Sequence, residues 1–131
     1  MRIVIVDIET TGFSSSDCIV EVGIVRLNLE TGKTQILYDE LVREPTLGAA
    51  FKDAWIFENS DLRYEDVLEA APLNVNALQA IFDEYPVTAY NKAFDFRFLE
   101  ARGLRLRGLE CPMRLAAHVC KLPKRGGRGY K

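Results

Sequence analysis

The chain has 131 residues, 48% of them hydrophobic and 27% charged, with a formal net charge of −2. That size and balance fit one globular domain spanning 1–131 and exclude a disordered chain or one that needs disulfides to fold. No stretch nears the roughly 20 apolar residues of a membrane span, and Asp7 interrupts the only N-terminal signal-like run, so we expect a soluble, cytoplasmic protein with no membrane partner.

Three cysteines, Cys18, Cys111 and Cys120, are an odd number without a CxxC spacing and read as free thiols in a reducing compartment. The charge is unevenly spread. Residues 1–84 carry 16 acids against 6 bases, whereas 85–131 carry 3 acids against 11 bases. The last acid is Glu110, and five of the six cations after it lie in the Gly-rich end, a block that attracts polyanions, nucleic acid included.

In chain order, the β-branched run Arg2–Ile8 predicts a buried strand, and TTGFSSSD over Thr10–Asp17 predicts a loop. Cys18–Asn28 and Thr34–Val42 read as a hairpin closed by Glu30-Thr31-Gly32-Lys33. A helical turn is expected within Ala49–Trp55. Ser60 and Asp61 can cap a short helix over Leu62–Glu69, and Ala71-Pro72 opens another that Pro86 stops. The apolar stripe of that second helix is Val75, Leu78, Ala80, Ile81 and Phe82. Val87–Tyr90 is a short strand, Asn91 caps a helix running to Arg102, and Gly103 ends it. Leu104–Leu109 suits an edge strand and Met113–Cys120 a last helix. A strand meander followed by helix–strand–helix alternation defines an α/β domain with a mixed sheet.

Chemistry enters at Val6-Asp7-Ile8-Glu9-Thr10-Thr11-Gly12. Residues two apart on a strand share a face, so Asp7 and Glu9 stand side by side at the strand's carboxyl end, where α/β sheets bind ligands. Such a pair either solvates the strand end or shares a hard divalent cation, Mg²⁺ or Mn²⁺. A third acid, Asp95, lies one turn after Asn91, on a helix start that favours a carboxylate. Phe94 and Phe98, spaced i,i+4, share a face of that helix. Three carboxylates from two strand ends suit two-metal phosphoryl chemistry, in which one ion activates water and the other stabilises a leaving 3′ oxygen.

VDIETTGF together with TAYNKAFDFRFLEARGL resembles the DEDD superfamily of 3′–5′ exonucleases, the epsilon-type proofreading group, whose fold is ribonuclease H-like. The resemblance implies that Asp7 bridges two metal ions, Glu9 binds one, and Asp95 binds the other through water. It also implies that the backbone at Thr10, Thr11 and Gly12 lies against the 3′-terminal nucleotide, with Asn91 and Phe94 completing the substrate site. The family's third motif, a His (or Tyr) followed four or five residues later by Asp, has no counterpart in this sequence. His118, the single histidine, is followed by Val-Cys-Lys-Leu-Pro-Lys and reads as a packed or surface residue. The resemblance therefore implies a domain that is incomplete at its C-terminal side and impaired as an enzyme. The apolar strip so exposed would invite a second copy or a protein partner.

Three readings remain open. One is a metal-dependent exonuclease releasing nucleoside monophosphates from single-stranded DNA or RNA. Another is a non-catalytic module that binds nucleic acid or protein. In the third, a partner subunit supplies the missing motif.

Overall fold

The structure, a computed structural model, describes residues 1–109. Strands β1 (Arg2–Thr10), β2 (Ile19–Asn28), β3 (Thr34–Leu41) and β4 (Val87–Thr88) form one mixed sheet in the order β3-β2-β1-β4. The first three run as the antiparallel meander the sequence predicts, and β4 joins β1 in parallel, with Val4 opposite Val87 and Ile5 opposite Thr88. β1 is two residues longer than expected, because Glu9 and Thr10 still pair with Glu21 and Ile19 across a register shift. The β2–β3 turn closes through Gly32, whose φ of 75° places it where an ordinary side chain is strained.

Helices α3 (Val75–Glu84) and α4 (Lys92–Ala101) cover one face of the sheet. Val4, Val6 and Ile8 of β1, with Val22 and Ile24 of β2, pack there against Leu78, Phe82, Phe98 and Leu99. Full burial of each such side chain contributes about 1.5–3 kcal/mol, so this layer supplies most of the fold's driving force. The other face of β1 begins with Ile3 and Ile5, which pack against Leu27, Leu29 and Leu109. A second cluster, Cys18, Val20, Leu47, Ile56 and Val67, lies under α1 (Trp55–Glu58) and α2 (Tyr64–Leu68).

Several helix starts differ from the sequence reading. The helix expected from Leu62 begins at Tyr64, since the Ser60 hydroxyl is spent on Ile56 O (2.6 Å) and Leu62 N (3.1 Å) instead of capping. α3 begins at Val75, not at Pro72, because Asn74 supplies the cap by accepting from Ala77 N at 3.0 Å. Its buried stripe is Leu78 and Phe82, while Val75 and Ala80 are exposed. Asn91 does hold the cap position of α4, but its side chain makes no capping hydrogen bond. Ala49–Phe51 is a 3₁₀ turn. The expected edge strand over 104–109 reduces to a parallel bridge between Gly108 and Val87. The expected Met113–Cys120 helix, Cys111, Cys120, His118 and the basic end lie outside the described residues.

Candidate functional site

The parallel pair β1/β4 points both strands' carboxyl ends the same way. Beyond those ends lies a cavity of about 600 Å³. Asp7, Glu9, Thr10, Thr11, Gly12, Asn91, Phe94 and Asp95, all singled out from the sequence, line it together. Each arrives by a different local cause. Strand alternation puts Asp7 and Glu9 on the face away from α3 and α4, with the intervening Ile8 buried in the helix-facing core. Asp95 is brought in by the short β4–α4 connection and sits in the first turn of α4, its amide bonded to Asn91 O at 2.9 Å. It is only 3% exposed, an unusual setting for an acid.

Paired residues of neighbouring strands share a face, so Glu21, opposite Glu9, adds a further acid beside the pair. Like charges directly opposite are mutually unfavourable, which makes this end of the sheet strongly acidic. The sequence offered no sign of Glu21, since its role depends on register.

The loop after β1 is tied together by its own side chains. Both threonine hydroxyls turn inward. Thr10 Oγ1 donates to Gly12 O at 2.7 Å, and Thr11 Oγ1 donates to Asp17 Oδ1 at 2.8 Å while accepting from Cys18 N at 2.9 Å. Gly12 is required by the protein's own packing. A Cβ there would lie 2.6 Å from Asp17 Oδ2. Asp17 also accepts from Ser14 N at 2.8 Å and so organises the whole loop.

Two exposed aromatic residues of the cavity were missed by sequence reasoning. Phe13 is 81% exposed and packs edge-on to Phe94, their centroids 5.7 Å apart. Trp55, at the start of α1, is 62% exposed. Both rings lie open on the cavity that the carboxylates line. The available signal was Phe13's place directly after the Thr-Thr-Gly turn; nothing local marked Trp55.

The metal expectation can be set against these donors. Among the described residues, no group of three or more His, Cys, Asp or Glu side chains is close enough to hold an ion by itself. Mg²⁺ at phosphoryl-transfer sites is held by one or two carboxylates together with water and substrate phosphate, not by an all-protein cage. The Asp7 and Glu9 carboxylates on one side of a cavity open enough for a phosphate fit that mode in kind. Asp7 and Glu9 would hold such an ion, with Asp95 reached across the cavity.

These observations define an α/β domain with an acid-lined cavity at the carboxyl ends of a parallel strand pair. No protein-family model matches the chain, and no curated protein matches it. Among solved structures it is similar to a full-length 3′-exonuclease, at 18% identity and a TM-score of 0.49 over 68% of this chain. The match spans 34% of that protein, about a third of its length. No helix among the described residues is long and apolar enough to cross a membrane.

Proposed function

We propose that the cavity is a metal-dependent 3′–5′ exonuclease site that releases nucleoside monophosphates from single-stranded DNA or RNA. The observation that supports this best is the convergence of Asp7, Glu9 and Asp95, from two separate elements, on one cavity that the Thr10–Gly12 loop also lines. Exposed Phe13 and Trp55 on the same cavity suit the faces of unpaired bases, since stacking is worth about 1–3 kcal/mol per base and tolerates any sequence. A duplex would offer those rings no unstacked face. Asp7 and Glu9 would hold the ions, Asp95 would complete their shell through water, and bound divalent ions would supply an acidified water and charge for the leaving 3′ oxygen. The rings and the loop would orient the terminal nucleotide so that its phosphate meets the carboxylates.

The test is a single-stranded oligonucleotide labelled at either end, incubated with the full chain and Mg²⁺ or Mn²⁺. Mononucleotides should leave stepwise from the 3′ end, slowly because the sequence carries no third motif to supply a general base, and Asp7→Asn should lower that rate by at least about a further hundredfold. Equal cleavage by Asp7→Asn, or release from the 5′ end, defeats the proposal. Binding that falls steeply with salt, without cleavage in either metal, would instead identify a nucleic-acid-binding module.

A further inference from the structure

The loop that carries Thr11, Gly12 and Phe13 and the helix that carries Asp95 are separate in sequence, yet both must keep station around one cavity. Two arginines of α4 and its C-terminal end join them. Arg97 Nη2 donates to Phe13 O at 2.9 Å, with its guanidinium 5.7 Å from the Phe94 ring centroid. Arg102 does more. Its Nη2 donates to Asp17 O at 3.1 Å, its Nη1 to Phe98 O at 3.2 Å, and its guanidinium lies 5.2 Å from the Phe98 centroid. It also grips Glu44 with two bonds, Nε to Oε2 at 2.9 Å and Nη2 to Oε1 at 2.5 Å. Glu44, 8% exposed, accepts in turn from Ile19 N at 2.7 Å, at the first residue of β2.

Arg102 thus ties the far end of the Thr10–Asp17 loop to the last turn of α4, and anchors both to the start of β2. The Asp17 whose carbonyl it holds is the residue whose carboxylate fixes Thr11 and crowds Gly12. A planar, five-donor guanidinium is suited to this, because it satisfies several acceptors in one rigid geometry that an ammonium cannot match.

We propose that Arg102, seated on Glu44, is a positioning residue for the cavity: it sets the spacing between the Thr11–Phe13 rim and the acid on α4, and with it the fit of a nucleic-acid end. The fit to nucleic acid rests on the exonuclease reading; the clamp itself does not. Displacement of a substrate-holding group by about 1 Å can cost about a hundredfold in rate, so the effect should be felt at the cavity although Arg102 does not line it.

Three full-length variants test this: Arg102→Met, which keeps length and loses the donors; Arg102→Lys, which keeps the charge alone; and Leu27→Ala, a core truncation in the Ile3–Ile5 cluster, away from the cavity, that serves as a stability control. Hydrogen exchange reports the clamp through the amides of Thr11 and Cys18, which bond to Cys18 O and Thr11 Oγ1 at 2.9 Å each. Anisotropy of a 3′-labelled single strand in Ca²⁺ reports the fit. Arg102→Met should speed exchange at Thr11 and Cys18 and weaken binding about ten- to a hundredfold. Arg102→Lys should recover part of both, and Leu27→Ala should lower Tm while changing neither. Unaltered exchange at Thr11 and Cys18 in Arg102→Met overturns the clamp. Faster exchange with unchanged affinity overturns its positioning role. A wild-type chain that binds no oligonucleotide sinks the exonuclease reading and leaves the exchange result to judge the clamp.

Discussion

The two faces of β1 carry different sequences through the same nine residues. On the helix-covered face, Val4, Val6 and Ile8 are buried through the middle of the strand. On the other face, Ile3 and Ile5 are buried but the next two positions in the alternation are Asp7 and Glu9. A strand can thus serve the core on one side and present acids on the other without either function compromising the packing beneath. The contrast has a sharp consequence at adjacent residues. Val6 is fully buried, so Val6→Asp places an unpaired carboxylate in the helix-facing core and should cost about 3–5 kcal/mol, enough to unfold a marginal domain. Asp7→Asn, one residue on, should leave the thermal midpoint within a few degrees while removing activity. Equal loss of Tm in the two, by circular dichroism melts, would erase the distinction between the faces.

That contrast was readable in the sequence because strand alternation is local. Three β-branched runs, one Gly-bearing turn and a Pro stop were enough to place the meander and α3, and Asp7, Glu9 and Asp95 followed from the ends of those elements. What escaped was set at long range. Glu44 has no local mark, lying between Arg43 and Pro45, and acquires a role only through Ile19 and through Arg102, fifty-eight positions later. Glu21 becomes part of the acidic end through register alone. The inward turn of the Thr11 hydroxyl follows from Asp17, an acid that a Ser-rich loop hides among turn formers, and that of Thr10 from the Gly12 carbonyl. One cap was misread for a related reason: Ser60 has the right chemistry for a helix start, but a nearer backbone partner takes its hydroxyl.

The open side can be probed more finely at its rim. Gly12→Ala sets a methyl 2.6 Å from the Asp17 carboxylate, so either Asp17 or the loop must give way. We expect a cost of about 1–3 kcal/mol in stability, seen as a lower Tm, together with faster exchange at Thr11. Asp17→Ala in the same chain should relieve the clash and make the two changes less than additive; strict additivity would remove Asp17 as the reason for the glycine. Trp55→Ala should do the reverse of Val6→Asp. At 62% exposure its truncation leaves Tm nearly unchanged, whereas single-strand affinity should fall by the equivalent of about 1–3 kcal/mol. The chain has one tryptophan, so in the wild type its fluorescence should change on adding oligonucleotide, and an unchanged signal at saturation would take Trp55 out of the binding surface.

The closed side makes the smallest and most specific prediction. Cys18 is fully buried in the second cluster, its Sγ 3.2 Å from the Thr46 hydroxyl. Burial pushes its thiol up from the ordinary value of 9.0, with the Thr46 hydrogen bond opposing the shift. A thiol whose ionisation is raised by folding keeps its proton in the native state when the unfolded chain has already lost it. The unfolded state then binds fewer protons, so stability is complete below the unfolded value and declines as pH rises through 9 toward the folded one. Tm should therefore slope downward above that pH, and Cys18→Ala should make the slope shallower, whatever its effect on Tm at neutral pH. Tyr38, also raised by burial, leaves a residual alkaline slope in that variant. A slope identical with and without the thiol would mean that the cluster under α1 and α2 opens to water before Cys18 ionises, and that this side of the molecule is less closed than its packing indicates.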